Sequence, residues 1–451
     1  MRKGKFFVSL LTATVLLFSF VVLLSACDDT PVAPTAPALT MLSAQGKDIV
    51  DADGEKVVLR GTNLGGWLVQ EGWMCPTEQA DTLSTMKTLY SRFGRDAAEE
   101  LVDIYEDNWI AETDFANIAA LGLNTVRIPF TYMNIFNFLT DDGELLAPDE
   151  FTLRDDAFAR LDWALEMCRK YGLYAILDLH GAVASQNGND HSGDTSGSNL
   201  YEDSAAGESF RAKTAELWGL VAEHFEGNPY VAGYDLLNEP DNASGATQWD
   251  YYDVLYDTVR AKDADHMIFI EAVWDPAQLP SPSEYGWENV VYEYHHYNRT
   301  EVNIANFSFY ASKQFMEITK GHGVPVLVGE FNAWGDEYRT VGDPEQTDLE
   351  AIYGVLEFYN GEGWHWTTWT YKVTVYSLSA VSTWGLYNCC VAEGKVNPAE
   401  DTYERIAEVW GSCSTEASAR AYDDFADIVF EMAKAPFGEG APAEGYSILQ
   451  V

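Results

Sequence analysis

Two glutamates are the residues of this chain best placed to do chemistry: Glu239 in YDLLNEP and Glu330 in VPVLVGEF, each just past a run that reads as a buried strand. Two carboxyl groups at the ends of two strands of one scaffold are the minimum equipment for breaking a glycosidic bond. A general acid must keep its proton near neutral pH, so burial or a neighbouring carboxylate has to raise its pKa. Glu239 suits that role, and Asn238 before it can donate to a sugar hydroxyl. Glu330 ends a strand with no other ionisable residue, and an isolated carboxylate there is costly unless paired. Arg127, on an earlier strand, is the natural partner. Held by Arg127 and by a hydroxyl such as that of Tyr297, Glu330 is poised to attack an anomeric carbon. A carboxyl separation of about 5 Å implies retention of configuration and one of roughly 6.5 to 9.5 Å implies inversion. Taken singly, NEP also reads as a turn with a helix N-cap, and Arg127 with Glu330 as a structural ion pair.

These residues need a frame that gathers them. Eight apolar runs read as strands: VVLRG, NTVRIPF, LYAILDLH, YVAGYDLLNEP, HMIFIEAV, NVVYEYHHY, VPVLVGEF and GWHWTTWTY. Segments with helical spacing lie between them, including AFARLDWALEMCRKYG, SFRAKTAELWGLVAEHF and NFSFYASKQFMEITKGHG. Near-continuous apolar strands alternating with helices predict an α/β fold, a (β/α)8 barrel whose strands are covered on both faces. A doubly wound open sheet is the competing architecture, but no GxGxxG follows a strand and no P-loop is present. Arg127, His180, Asn238 with Glu239, His295 with Tyr297, Glu330 and Trp369 all fall at strand C-termini, which in such a barrel share one face. The connection from Gly181 to about Asp203, crowded with Ser, Asn, Gly and Asp, reads as a substrate-facing loop. Before the first strand, DIVDADGEKVVLRGTN reads as a hairpin with a DG turn. After Cys413, YDDFADIVFEMAKAP predicts one further helix outside the barrel.

The chain has 451 residues and a formal charge of 27 minus 71, or −44. Such a field repels nucleic acid, anionic lipid headgroups and polyanionic glycans, so neutral substrates are favoured. With 14 Trp and 25 Tyr, flat amphipathic surfaces for sugar stacking are plentiful. Arg2, Lys3 and Lys5, an apolar run from Phe6 to Leu24, and Leu24, Ser25, Ala26, Cys27 read as an export signal with a lipobox. Cys27 is then the lipidation site, and the Pro/Ala/Thr-rich stretch that follows is a tether. The expected organisation is 1–27 signal, 28–44 tether, 45–415 barrel and 416–451 C-terminal extension. The expected location is the cell surface, as a lipid-anchored monomer touching the bacterial membrane only through that anchor. Cys75, Cys168, Cys389, Cys390 and Cys413 lack CxxC spacing, so no pairing is deduced, and Cys168 reads as a small buried hydrophobe. His180, His191, His295 and His296 fit no HExxH-type site, so no metal and no cofactor are expected. His224, His266 and His322 read as surface or capping residues.

The ordered set RGTNLGGWLVQEGW, RIPF, LDLHGAVASQNGNDHSG, NEP, HHY, GEF and WTYK resembles glycoside hydrolase family 5, and within it the exo-β-1,3-glucanase type branch. The resemblance spans roughly residues 47 to 412. It implies Glu239 as acid/base and Glu330 as nucleophile, with Arg127, His180, Asn238, His295, Tyr297 and Trp369 around the sugar at the cleavage point. It also implies a β-linked oligo- or polysaccharide as the partner, Glu71 as a ligand of the terminal glucose and Asp190 as a second sugar-binding acid. Where that branch has Phe before the matching Asp and Asn after it, this chain has Asn189 and His191. The aromatic clamp on the leaving-group side is therefore missing or rebuilt, with His191 facing the substrate. Endo-glucanase, mannanase and glycolipid glycosidase activities stay open, as does a non-catalytic carbohydrate-binding surface protein.

Overall fold

The computed structural model describes residues 38–241, 245–272, 279–299, 321–334, 339–340 and 347–440, all within one compact unit, Ala36–Val451. The signal segment, Cys27 and most of the tether lie outside the described residues. So does the greater part of the helical reading over NFSFYASKQFMEITKGHG.

Eight parallel strands close on themselves: β1 (Arg60–Asn63), β2 (Thr125–Thr131), β3 (Tyr174–Gly181), β4 (Val231–Asp235), β5 (Met267–Glu271), β6 (Val290–Arg299), β7 (Val326–Trp334) and β8 (His365–Thr368). Their order around the barrel is their order in the chain, with β8 returning to β1. This is a (β/α)8 barrel. Helices fill the connections, among them Glu112–Ala120, Ala159–Tyr171, Ala205–Phe225, Gly245–Arg260 and Thr347–Glu362. Ala159–Tyr171 shows why they stop where they do. Leu161, Ala164, Leu165 and Cys168 are buried, and Gly172 ends the helix in the left-handed conformation that glycine adopts without a Cβ penalty. Ser204 begins Ala205–Phe225 by accepting from the Gly207 N–H.

The barrel is closed at the N-terminal ends of its strands by a plug. Leu42, Ile49 and Leu59 pack with Tyr174, Met267, Phe269, Val291 and Leu327 in a small core of their own. The tight antiparallel pair here is Ser43–Gln45 with Asp48–Val50, turning at Gly46. The DG turn expected at Asp53–Gly54 is present one step later, where it closes only the single bridge Val50 to Lys56. Leu39 and Leu42, read as tether, belong to this folded plug.

After β8 the chain adds a three-stranded sheet, Lys372–Val375 with Tyr387–Cys390 and Ala419–Ala421, which the sequence pattern did not announce. The C-terminal helix Asp423–Met432 follows. The Arg60 guanidinium donates to the carbonyls of Ala433 and Ala435, both at 2.7 Å, and fastens this extension to β1. His266 is a correction to the sequence reading. It is fully buried, with Nδ1 at 2.5 Å from Asp263 Oδ2 and Nε2 at 2.9 Å from the Asn228 carbonyl. Preceding β5 directly, it goes down with the strand.

Candidate active site

Side chains alternate along a strand, so residues two apart point the same way. On β3 that pairs Asp178 with His180, and on β6 it lines up Glu293, His295 and Tyr297. At the centre stands Arg127 of β2, fully buried. Its guanidinium lies 3.0 Å from Asp178, 2.7 Å from Asp235, 3.3 Å from Glu293 and 3.0 Å from Glu330. It also donates to Asn63 Oδ1 and, at 2.8 Å, to Asn238 Oδ1. Those bonds orient the Asn238 amide, whose Nδ2 is buried with no protein acceptor among the described residues.

Glu330 Oε1 takes the Arg127 bond, and its Oε2 accepts from the Tyr297 hydroxyl at 2.5 Å. The opposing glutamate, Glu239, lies just beyond β4 in a different setting. His295 Nδ1 is 2.7 Å from its Oε1 and His191 Nε2 is 3.1 Å from its Oε2. Glu239 has φ +44°, a left-handed conformation uncommon outside glycine. Glu271, at the end of β5, accepts its backbone N–H at 2.6 Å and helps hold that geometry. Oxygens of Glu239 and Glu330 lie within 4.8 Å of each other and of a ring nitrogen of His295.

The two environments separate the two carboxyls. Burial pushes Glu239 up to about 8, with Asp178 and Asp190 adding to the rise and Arg127 opposing it. Burial pushes Glu330 to about 7, opposed chiefly by the Arg127 charge and also by the Tyr297 hydroxyl. As pH rises, Glu330 therefore ionises first while Glu239 keeps its proton. Desolvation holds His180 and His295 well below the usual imidazole range, so both are neutral bridges.

The rest of the expected set converges here. Trp369 lies parallel to the His180 ring, 3° between planes and 5.3 Å between centroids. Glu71 is buried, with Oε2 accepting from the Trp73 indole at 2.7 Å and Oε1 free of any protein partner among the described residues. One ligand atom each from Glu71, Asp190 and His191 lies within 4.8 Å of the others. Burial and then Asp190 raise the Glu71 carboxyl well above its ordinary value. Asp190 and His191 sit on a short turn of the loop after β3, which is braced by Ser185 Oγ to Ser192 Oγ at 2.7 Å. The same loop is tied to the helix Thr82–Phe93, since Asp81 caps that helix and also accepts from the Thr195 N–H. Sequence reasoning missed Asp178, Asp235, Glu271 and Glu293. Counting back two residues from His180 and His295 would have found the first and the last.

A metal could be imagined at Glu239, His295 and Glu330 or at Glu71, Asp190 and His191, which are the close-set ligand groups among the described residues. In the first group the near atoms are already engaged by Arg127, Tyr297 and one another, an arrangement that holds protons.

Residues 50–374 match the family model for cellulase, glycosyl hydrolase family 5. Among curated proteins the chain is 28% identical over 352 residues to a beta-xylosidase of Phanerodontia chrysosporium, covering 74% of this chain and 71% of that protein. It is 27% identical over 360 residues to a probable glucan 1,3-beta-glucosidase A of Aspergillus fumigatus, covering 70% of this chain and 83% of the relative. In fold it is similar to an endogalactoceramidase, with a TM-score of 0.56 at 16% identity over 87% of this chain and 85% of the other. With the family model spanning most of the barrel, this chain belongs to glycosyl hydrolase family 5 and is a glycoside hydrolase.

Proposed function

We propose that this enzyme hydrolyses a neutral β-linked glucoside or β-glucan, acting from the terminal sugar, with retention of anomeric configuration. The observation that carries the reading is the Glu239 and Glu330 pair: oxygens within 4.8 Å, one carboxyl set to ionise and the other to stay protonated. In the first step Glu330 attacks the anomeric carbon. The bond from that carbon to the leaving oxygen breaks, and the oxygen takes the Glu239 proton. In the second step Glu239, now a base, takes a proton from water. The water oxygen bonds the anomeric carbon, and the ester to Glu330 breaks.

Arg127 and Tyr297 bind the Glu330 carboxylate, and the free Asn238 amide suits the sugar hydroxyl next to the reacting carbon. Trp369 provides a flat floor. The unpartnered Glu71 oxygen beside Asp190 supports recognition of terminal sugar hydroxyls, and the glucan 1,3-beta-glucosidase relatives favour glucose. His191 sets its Nε2 3.1 Å from Glu239 Oε2, and that closeness to the acid supports a place for it beside the leaving group. Export and anchoring through lipidated Cys27 complete the proposal, supported by the N-terminal sequence.

Glu330→Gln is expected to cut turnover of an aryl β-glucoside on the order of 10⁴-fold. A 2-deoxy-2-fluoro glucoside should label the peptide that contains Glu330, read by mass spectrometry. Labelling elsewhere, or turnover that survives the substitution, would overturn the assignment. Product profiles on laminarin, cellulose, mannan and glucosylceramide read the linkage and sugar. Laminarin releasing only glucose is the expected outcome.

A further inference from the structure

His191 touches the acid Glu239, yet no step of the two-carboxylate chemistry uses it. It sits on the short turn Asp190–Ser192 of the loop after β3 with 20% of its side chain exposed, and its Nε2 stands 3.1 Å from Glu239 Oε2. What that nitrogen does for the acid depends on whether it carries a hydrogen or a lone pair.

Asn187 decides this. Its Oδ1 accepts from the Asn189 N–H at 2.9 Å, so the other end of the amide is the NH2 group. One hydrogen of that group goes to the Glu239 carbonyl at 3.1 Å, and the other faces His191 Nε2 at 2.7 Å. Two N–H donors cannot meet at that distance, so Nε2 is the acceptor and the ring hydrogen sits on Nδ1. Glu71 and Asp190, each with an oxygen within 4.8 Å of a His191 ring nitrogen, stand close by as acceptors. Burial holds this imidazole below its usual range, which keeps the ring neutral. An acceptor nitrogen beside a carboxyl oxygen is favourable only while that oxygen carries a proton; against a bare carboxylate, lone pair faces lone pair in a site of low dielectric. His295 Nδ1 takes up the other oxygen at 2.7 Å.

We propose that His191 is a positioning residue that seats the acid proton on Glu239 Oε2 and keeps it there until the leaving oxygen of the sugar arrives. The proton then passes from Oε2 to that oxygen. In the second step a proton from water returns to Oε2, and His191 itself exchanges none. This role rests on the two-glutamate reading of the site. Asp178, Asp190, Asp241 and Glu271 also face Glu239, Glu330 lies across from it, and Arg127 is the nearby cation. All of them remain when only the ring is changed.

The test follows kcat/KM of the full chain from pH 5 to 10 on an alkyl β-glucoside, whose leaving group needs the proton, and on a dinitrophenyl β-glucoside, whose leaving group does not. His191→Leu removes the acceptor. On the alkyl substrate its alkaline limb is expected to move down by about one pH unit, with a loss of about tenfold at pH 9, while the dinitrophenyl substrate is spared. His191→Gln, whose amide oxygen Asn187 can meet as it meets Nε2, should bring the limb back. In parallel, ¹⁵N NMR of the chain labelled with [¹⁵N]histidine, with the His191 signals assigned by His191→Gln, should show a hydrogen on Nδ1 and a bare Nε2. That measurement is made on the unsubstituted ring and serves if His191→Leu does not fold. A hydrogen found on Nε2, a limb that stays in place in His191→Leu, or equal losses on both substrates would overturn the proposal. The 2-deoxy-2-fluoro glucoside separates this outcome from the reading beneath it. An enzyme labelled at Glu330 whose limb stays put loses only the role of His191, whereas an unlabelled Glu330 removes the reading and this role with it.

Discussion

At the scale of single residues, six buried carboxyls share one guanidinium. Asp178, Asp235, Glu239, Glu271, Glu293 and Glu330 gather around Arg127, with neutral His180 and His295 between them. One cation cannot hold six anions in a dry interior, so most of the protons stay. Rate should therefore depend on one proton leaving and another remaining: kcat/KM is expected to rise as Glu330 ionises near 7 and to fall as Glu239 ionises near 8. A profile flat from pH 6 to 9 would contradict this. Glu239→Ala should slow glucosides with poor leaving groups by about 10²–10⁴-fold and spare activated aryl glycosides, because only the former need the proton. Equal losses on both would remove Glu239 from the acid role. The two glutamates were legible in the sequence because each stands at the end of an apolar run, and Arg127 because it is the one charge in NTVRIPF. Expected at a strand end, Arg127 is instead the third of the seven residues of β2, deep enough in the barrel for the acids of the other strands to reach it. Asp178, Asp235, Glu271 and Glu293 were not legible, because each sits inside a run whose apolar character disguised it. Only the closure of the barrel brings them to one centre.

At the scale of elements, strand contacts fix how closely the site can be built. Gly329 precedes the proposed nucleophile on β7, and a Cβ there would fall 1.6 Å from Glu293 Oε1. The carboxylate cannot retreat, since Arg127 stands 3.3 Å away. Gly329→Ala is therefore expected to destabilise the fold by about 3 kcal/mol or more and to displace Glu330; a wild-type melting temperature with full activity would refute this. The alternation of strands and helices was readable because its periods differ, and seven of the eight strands lie within or across the runs read for them, while β1 begins three residues later than VVLRG and runs on to Asn63. The sheet after β8 escaped notice. Its strand Ala419–Ala421 is short and half-buried, and pairing with Tyr387–Cys390 across a long stretch of chain leaves no local signature.

At the scale of the whole molecule, charge sets the response to pH. Burial raises Asp178 and Asp235 to about 7, Glu330 to about 7 and Glu239 to about 8. Their unfolded values lie near 4, so between those limits the folded chain holds more protons than the unfolded one. Stability from these groups is fully present below about pH 4 and is lost as pH rises through 7 to 8. The formal charge of −44 acts in the same direction as carboxylates ionise. Calorimetry should show the melting temperature falling from pH 5 to 8.5, and a rise over that interval would contradict the buried-acid account. The described chain begins at the floor of the barrel, where Leu39 and Leu42 form part of the plug and the Tyr174 hydroxyl donates to the Thr40 carbonyl at 3.1 Å. The sugar mouth opens at the other end of every strand. A bead, a fluorescent domain or a flat support joined directly at residue 38 meets the face turned away from incoming glycan, so an enzyme held at that point keeps its entrance unobstructed.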